Sequence, residues 1–213
     1  MHDMSAFFPR DAKSLSREER IKALRSIIFV KEKQDKSIKT RACIDGSPQW
    51  AYIPRKDPAS PTASTDSLFI TEAIDALEGR IVGHANLPGA FLHTLTDKNI
   101  VVLLTGELCK LMVKIKPKIY RKFVTHDKRG KPMLYVELYK SMYGLIRSVL
   151  LFYRKLKREL IEYGFTMNLY NACVANKDTS GKQLSMLWHV DYLKILCKDG
   201  FEVTKLMKHL DKI

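Results

Sequence analysis

The clearest pattern in the chain is an amphipathic segment at residues 148–163. Apolar and aromatic residues recur there at helical spacing and form one stripe: Val149, Phe152, Tyr153, Leu156, Leu160 and Tyr163. Arg154, Lys157 and Arg158 lie off this stripe, and Gly164 follows it, where glycine commonly ends a helix. The pattern predicts a helix whose stripe packs in a core.

Two further helices are predicted from the residues that begin them. The stretch SREE at residues 16–19 has the spacing of a capping box, and apolar residues follow it at helical spacing. This predicts a helix near residues 17–32. Another helix is expected to begin at Ser64 or Thr65 and to end at Gly79.

Several segments in the first two thirds of the chain have the patterns of β-strands. A short extended segment is predicted around Ile38–Cys43, before a stretch rich in proline that favours a hairpin or long loop. The apolar segment RIVGHANLPGAFLH is interrupted by Pro88-Gly89, and NIVVLLTG at residues 99–106 is a strong strand candidate. Asp127-Lys-Arg-Gly130 is typical of a turn between two strands.

Residues 113–122 alternate between polar and apolar side chains. The alternation predicts an extended edge segment with Lys114, Lys116 and Lys118 on one face. These lysines would either guard the edge against aggregation or bind phosphate groups.

The last third of the chain predicts a hairpin that leads into an acidic turn. Cys173–Asn176 and Leu184–Val190 flank the turn-rich stretch DTSGK, so we expect them to pair. In WHVDYLKIL, apolar runs on both sides of Asp191 predict two short strands that meet at a tight turn. An aspartate in a turn is commonplace by itself. Strands scattered among helices without a strict βαβ repeat predict an α+β fold, with helices on one face of a sheet.

Charge is the compositional feature that bears on partners. The 213 residues include 37 Lys and Arg against 23 Asp and Glu, a net charge of +14, with 46% hydrophobic residues. A folded basic protein of this kind favours a polyanionic partner, and nucleic acid is the first to consider. The alternative is a small basic protein whose charge only keeps it in solution.

The spacing of the cysteines and the length of the apolar runs bear on the cellular location of the protein. Cys43, Cys109, Cys173 and Cys197 lie far apart without metal-ligand spacing, so free thiols are expected. The N-terminal stretch MHDMSAFFPRDAKSL has no apolar run long enough for a signal peptide and no later apolar run is long enough to cross a membrane, so we expect neither a signal peptide nor a membrane segment. An intracellular location is the default expectation, with the compartment open.

Several short motifs, taken in chain order, resemble one family. The most specific is YGLIRSVLLFY at residues 143–153, similar to Y-G-L-(K/R)-Q-(A/S)-x-R-x-(W/F)-Y. HANLPGAFL at 84–92 resembles the palm strand V-D-(I/V)-x-x-A-F-L, and HVDY at 189–192 resembles the palm hairpin Y-V-D-D. KTRA at 39–42 and SPT at 60–62 resemble motifs of the fingers and of the approach to the palm. Together they resemble the reverse transcriptase of copia-type LTR retrotransposons, an RNA-directed DNA polymerase of transposable elements.

The resemblance implies a fold and its domain limits. Residues 36–213 would form the fingers and a palm domain, an antiparallel sheet backed by helices, cut off before the thumb and ribonuclease H regions. Residues 1–35 would form an N-terminal helical extension. The strand that carries Asn86 should neighbour the hairpin around Asp191 in one sheet, backed by the 148–163 helix.

The resemblance also implies a metal site that this chain has largely lost. In the family, carboxylates on neighbouring strands hold two Mg²⁺ ions about 4 Å apart, which activate the primer hydroxyl and neutralise the leaving diphosphate. Asp191 stands as a remnant metal ligand, whereas Asn86 and Tyr192 stand at the places of two aspartates. Neutral groups cannot balance two divalent cations. We therefore expect a degenerate active site with weak or absent Mg²⁺ binding and impaired catalysis.

Other residues match substrate-binding positions of the family. Lys39 and Arg41, on one face of a strand, would contact a triphosphate, although both are otherwise surface charge. Phe91 would close the sugar pocket or belong to the core. Arg147, where glutamine is usual, would face the template backbone or solvate a helix end.

Two other functions stay open at this stage. The chain could be a non-catalytic nucleic-acid-binding remnant of such a domain, or a pseudogene product without function. Primer–template nucleic acid is the partner that the resemblance implies, and other parts of a polyprotein are possible partners. Convergence of carboxylates at Asp191 would favour the enzyme over either alternative.

We expect the chain to bind RNA and DNA with little sequence preference, because its net charge is +14 and lysines recur at 114, 116 and 118. Affinity should fall at least about tenfold between about 50 and 200 mM salt, since phosphate neutralisation releases counterions. Fluorescence anisotropy with a labelled oligonucleotide measures this. Binding that is undetectable at low ionic strength, or insensitive to salt, would contradict the expectation.

Overall fold

The computed structural model describes residues 5–212 and their side chains, that of Lys98 excepted. The chain divides into two compact units. Unit 1 consists of Met1–Pro58 and Thr94–Ser148, and unit 2 of Ala59–His93 and Val149–Ile213. Helices and strands are mixed in both units, which confirms the α+β class.

The elements are numbered here along the chain. The strands are β1 Phe7–Arg10, β2 Leu24–Glu32, β3 Ile38–Ile44, β4 Ile81–Asn86, β5 Leu95–Thr105, β6 Thr125–His126, β7 Pro132–Lys140, β8 Thr166–Met167, β9 Val174–Thr179, β10 Lys182–His189 and β11 Tyr192–Cys197. The α-helices are α1 Arg17–Lys22, α2 Thr65–Glu78, α3 Glu107–Ile115, α4 Pro117–Tyr120, α5 Ser148–Glu162 and α6 Gly200–Leu210. Short 3₁₀ turns include Ala90–His93.

Unit 1 is built on a sheet with the strand order β1-β7-β5-β2-β3. The short strand β6 pairs with Pro132 and Met133 at the beginning of β7. β5 and β7 are central, and several of their apolar residues are buried, among them Val102, Leu134 and Val136. β2 pairs with β5 in parallel and with β3 in an antiparallel hairpin. The predicted strands at 38–43 and 99–106 and the turn at Asp127–Gly130 are confirmed.

Two sequence predictions for the N-terminal part of unit 1 are wrong. The capping box at Ser16 and Glu19 is present, but α1 ends at Lys22 and the rest of the predicted 17–32 helix is β2. β-branched and aromatic residues at 27–30 favour a strand once β3 and β5 are beside them. Residues 1–35, expected as a helical extension, thus contribute β1 and β2 to this sheet.

The segment at 113–122 is helical rather than extended. α3 buries Cys109 and Met112 at helical spacing, and Pro117 is the first residue of α4, where its missing N–H costs nothing. Lys114 on α3, Lys118 on α4 and Lys116 between the two helices are all exposed and do not line a strand edge. The short alternating run is compatible with the period of a strand and with that of a helix. The burial of Cys109 and Met112 favours the helix.

Unit 2 contains an antiparallel sheet with the order β4-β11-β10-β9-β8. The predicted hairpins, the helix ending at Gly79 and the 148–163 helix are confirmed. α5 lies against the sheet where the Tyr153 ring stacks on Trp188, with 6.2 Å between centroids. A Cβ on Gly83 would lie 2.7 Å from Val203 of α6.

α2 covers the face opposite to that of α6. Lys194 of β11 points to α2, whereas Gly83, paired with the adjacent Ile195, points to α6. Neighbouring residues of a strand point to opposite faces of the sheet, so helices cover both faces. The sequence had predicted helices on one face only. The strands β10 and β11 are consequently buried on both sides, from Leu184 to Trp188 and from Leu193 to Cys197.

All four cysteines are free, as expected. Burial raises the pKa of the Cys173 thiol to about 11, which keeps it protonated and unreactive. In the part of the chain from residue 5 to 212, no helix has both the length and the apolar character needed to cross a membrane.

Gly144 in unit 1 allows two backbone segments to cross closely. Its φ is +93°, and a Cβ there would lie 1.9 Å from the carbonyl oxygen of Ile44. The neighbouring Ile44 N–H donates to the carbonyl of Tyr143 at 2.7 Å. The glycine of the YGL motif is therefore required by packing between β3 and the segment before α5.

Gly144→Ala should destabilise unit 1 by at least about 3 kcal/mol, because the new methyl group would displace the Ile44 carbonyl. Gly130→Ala is the matched control, since Gly130 also has a positive φ, +76°, but a Cβ there meets nothing within 4 Å. That control should cost only about 1 kcal/mol. Urea unfolding measures both values, and equal losses for the two variants would show that the close crossing is absent.

Candidate functional site

The acidic turn of unit 2 is a two-residue connection between β10 and β11. His189 and Tyr192 are the last paired residues, and Val190 and Asp191 form the turn. Val190 has a φ of +56°, which is a strained conformation for a β-branched residue. A positive φ at the first turn residue suits the twist of a tight hairpin, where glycine is preferred. Strain of this kind often accompanies functional sites, and no pattern in the residues around Val190 had indicated it.

The strand that carries Asn86 lies directly beside this hairpin. β4 pairs with β11 in antiparallel fashion, and Asn86 is the Cα partner of Tyr192. The N–H of Leu87 donates to the carbonyl of Asp191 at 3.1 Å, so the pairing extends to the turn. The expected neighbourhood of these strands is confirmed. Directly opposed residues have Cβ atoms about 5 Å apart, which puts the Asn86 and Tyr192 side chains side by side.

The charges around the turn do not suit a divalent cation. Residues 5–212 contain no group of three or more His, Cys, Asp and Glu side chains placed to hold a metal ion. Asn86 and Tyr192 offer neutral oxygens, and His84, His189 and Lys194 share a cavity of about 380 Å³ with Tyr192. Asp191 alone supplies one negative charge. The residues present therefore do not fit the two-Mg²⁺ centre that the sequence resemblance implies.

A buried ion pair lies next to this turn, and sequence reasoning missed it. Lys194 is 4% exposed and its Nζ lies 2.8 Å from Asp75 Oδ2 and 2.7 Å from Glu72 Oε1 of α2. It also donates to Thr71 Oγ1 at 3.3 Å. Asp75 is 5% exposed, and neither of its carboxylate oxygens has a partner in hydrogen-bond geometry, so charge attraction holds it. The sequence shows Asp75 only as one acidic residue of a helix, and its inward position is known from the structure alone.

The predicted triphosphate contacts lie in unit 1. Lys39 and Arg41 both line an open cavity of about 980 Å³ along the β2–β3 hairpin. Lys31 and Lys33 line the same cavity, with Glu32 as its acidic residue. As predicted, Lys39 and Arg41 share one face of a strand. The cavity is basic, which suits phosphate groups.

Phe91 and Arg147 have partners of their own. Phe91 lies in the 3₁₀ turn after β4 and not on a strand; it is buried, and its ring packs edge-on against Phe152 of α5 with 6.3 Å between centroids. This is a core contact. Arg147 of unit 1 forms an ion pair with Asp97, and both side chains are largely buried. The guanidinium is thus directed at a carboxylate of its own unit.

Comparison with known proteins gave no family match for this chain. No family model matches the sequence, and no curated protein matches it.

Removing the charge of Lys194 should destabilise unit 2 strongly. Lys194→Met leaves Asp75 buried without a counter-charge and should lower the free energy of unfolding by about 3–5 kcal/mol. Lys194→Met combined with Asp75→Leu should recover most of that loss, because the double variant has no buried charge. Lys198→Met is the control on the same side of the sheet, since the half-exposed Lys198 pairs loosely with Glu78 at 3.7 Å.

Denaturant unfolding of these variants gives the comparison. The control should lose less than about 1 kcal/mol, as exposed ion pairs do. A Lys194→Met loss no larger than that of Lys198→Met would mean that the pair is not buried in solution.

Proposed function

We propose that this chain is a reverse-transcriptase-like fingers and palm domain of the copia type, with an impaired polymerase site. One observation carries the proposal: Asn86 and Tyr192 are paired on neighbouring strands beside the turn that holds Asp191. These are the three positions at which the motif resemblance expects carboxylates. Asn86 is more than a hundred residues before Asp191 and Tyr192, and no pattern in the local sequence requires it to meet them.

The order of elements supports the same proposal. In unit 2, β4 precedes α5, and the β10–β11 hairpin and α6 follow, with β4 beside the second strand of the hairpin. α5 and α6 cover one face of this sheet. In unit 1, Lys39 and Arg41 line a basic cavity, as a triphosphate contact would require. The proposed palm is therefore unit 2, and the proposed fingers are unit 1.

The impairment follows from charge. Phosphoryl transfer to a hydroxyl builds negative charge at the attacking and leaving oxygens, and a carboxylate-held metal pair stabilises that charge. Asn86 and Tyr192 bring no negative charge, and the nearby ammonium of Lys194 is already paired with Asp75 and Glu72. Asp191 is left as the sole anionic oxygen ligand at the turn. Any nucleotide transfer by the unaltered chain should be orders of magnitude slower than by a site with all its carboxylates.

Restoring the carboxylates tests this proposal. Asn86→Asp combined with Tyr192→Asp should raise Mg²⁺ affinity at least about tenfold, since three carboxylates then converge at the turn. Isothermal titration with Mg²⁺ measures the change. The native chain should show no extension of a DNA primer on an RNA template in the same buffer.

The control adds the same charges elsewhere in unit 2. Leu169→Asp with Tyr170→Asp alters two highly exposed residues away from the turn and should leave Mg²⁺ affinity unchanged. Adding Asp191→Asn to the restored variant should remove the gain. Equal Mg²⁺ affinities for the restored and control variants would refute the site, and efficient extension by the native chain would refute the impairment.

A second candidate function is non-catalytic nucleic-acid binding. The observation that favours it is the basic cavity lined by Lys31, Lys33, Lys39 and Arg41, in a chain of net charge +14. Such a surface binds phosphates without a metal. Both candidate functions predict salt-dependent binding of nucleic acid. The Mg²⁺ affinity of the restored variant therefore distinguishes one function from the other.

A further inference from the structure

Unit 2 contains another cavity, of about 350 Å³, which the proposed polymerase function does not use. Residues of α2, of the β9–β10 hairpin and of the loop before β9 line it. Within the described residues, it shares no lining residue with the cavity at the Asp191 turn. Ligand sites of proteins usually measure roughly 300–1,000 Å³. The cavity therefore has room for one small molecule of about the size of a nucleoside.

A buried guanidinium lines this cavity. The Arg80 side chain is only 7% exposed. Its Nε donates to Glu78 Oε2 at 3.0 Å, and its Nη1 donates to Ser185 Oγ at 3.3 Å. A guanidinium has five N–H groups, and the others have no hydrogen-bond partner among residues 5–212. Those groups are available to a ligand that offers acceptor atoms.

Ser185 adds a donor, and Gln183 adds an acceptor. Ser185 is 3% exposed, and its Oγ accepts from Arg80 and from Gln183 Nε2, the latter at 3.0 Å. With both lone pairs engaged, its hydroxyl group can only donate, and the described part of the chain provides no acceptor for it. Gln183 Nε2 also donates to Asn176 Oδ1 at 2.9 Å, which leaves Gln183 Oε1 free to accept. A buried donor without an acceptor is costly, so a ligand acceptor is favoured here.

The charges around the cavity are balanced. Arg80 pairs with Glu78, and Lys194, on the same face of the sheet, pairs with Asp75 and Glu72. An anionic ligand would lose its hydration without gaining an unpaired positive charge. The balance therefore favours a neutral ligand whose acceptors are carbonyl or ring-nitrogen atoms.

The walls of the cavity favour a flat ring. Ile70 and Ile74 of α2 and Val174 of β9 line it beside the polar groups. Apolar walls suit the two faces of a planar heterocycle, whose edge carries the hydrogen-bonding groups, whereas a sugar has hydroxyl groups all around its ring. Tyr170, which also lines the cavity, is 98% exposed, so its ring is free to stack on such a ligand.

Hydrogen bonds hold the loop that carries Tyr170. Asn168 Oδ1 accepts from the backbone N–H groups of Tyr170 and Asn171, at 2.8 and 3.0 Å. Asn171 Nδ2 donates to Ser67 Oγ of α2 at 2.7 Å, which ties the loop to the helix. The cavity is thus formed before a ligand enters, and little ordering is needed on binding.

We propose that this cavity binds the guanine base of a nucleoside. Guanine presents two adjacent acceptors, O6 and N7, which match the fork of an arginine, and its N2 amino group is a donor that suits Gln183 Oε1. Adenine carries an amino donor where guanine has O6, so it would place donor against donor at Arg80. This inference goes beyond the proposed polymerase function and does not depend on it.

Isothermal titration of nuclease-treated protein with guanosine, in buffer without Mg²⁺, tests the proposal. Guanosine should bind the native chain at least about tenfold more tightly than adenosine, as a good arginine–guanine pair discriminates. Glucose, as a neutral ligand without a flat ring, should not bind. Because Mg²⁺ is left out, the result is independent of the site at Asp191.

Two variants disable the cavity, and each has a matched control. Ile70→Trp fills the cavity and should weaken guanosine binding at least about tenfold, whereas Leu77→Trp, at an exposed position of the same helix outside the cavity, should leave it unchanged. Gln183→Leu removes the acceptor and should weaken binding about three- to tenfold. Gln34→Leu makes the same change at an exposed position of unit 1 and should have no effect. Circular dichroism checks that every variant is folded.

Nuclear magnetic resonance locates the bound ligand. Guanosine should shift the side-chain amide signals of Asn176 and Gln183 and leave that of Gln34 in place. Guanosine that binds no more tightly than adenosine, or not at all, would overturn the proposal. Equal affinities for Ile70→Trp and Leu77→Trp, both folded, would do the same, because the ligand would then bind elsewhere. Tighter binding of glucose than of guanosine would show that the cavity is a sugar site.

Discussion

The register between β4 and β11 is the constraint on which the rest of unit 2 depends. It sets Asn86 opposite Tyr192 and orients Lys194 toward α2. A slip of one residue would turn Lys194 to the other face, against the apolar residues of α6, and would leave Asp75 buried without its counter-charge. A buried charge pair contributes little net stability compared with apolar packing. Breaking this pair is nevertheless costly, because it leaves a buried charge without a partner, and this cost makes the alternative register unfavourable.

The polarity of α2 follows from the same ion pair. A buried ammonium on the sheet requires acidic and hydroxyl groups on the helix that covers it, and Thr71, Glu72 and Asp75 supply them. Because those positions occupy the inner side, Phe69 and Leu77 of α2 are left on the outer side, where both are exposed. The charged interior of unit 2 and these exposed apolar residues are thus two results of one arrangement.

Charge distinguishes the turn at Asp191 from the basic cavity of unit 1. The chain carries a net charge of +14, and the face of the sheet near the turn holds two histidines and Lys194, whose charge is balanced by Asp75 and Glu72. That face therefore offers little uncompensated charge to a divalent cation or to a phosphate. The cavity along the β2–β3 hairpin carries Lys31, Lys33, Lys39 and Arg41 against Glu32, so its charge suits phosphate groups.

Elements whose signals are local could be predicted from the amino-acid sequence alone. The stripe of α5, the caps of α1 and α2 and the turn at Asp191 depend on residues within a few positions of each other, and each is present. The family resemblance also led us to expect Asn86 beside the hairpin, where β4 does pair with β11. Elsewhere the fold overrode the sequence pattern: residues 24–32 form a strand and 113–120 are mostly helical, because pairing partners and burial outweigh a short ambiguous pattern. Lys194 and Asp75 meet only through the fold, since an ion pair between distant residues leaves no periodic trace in the sequence.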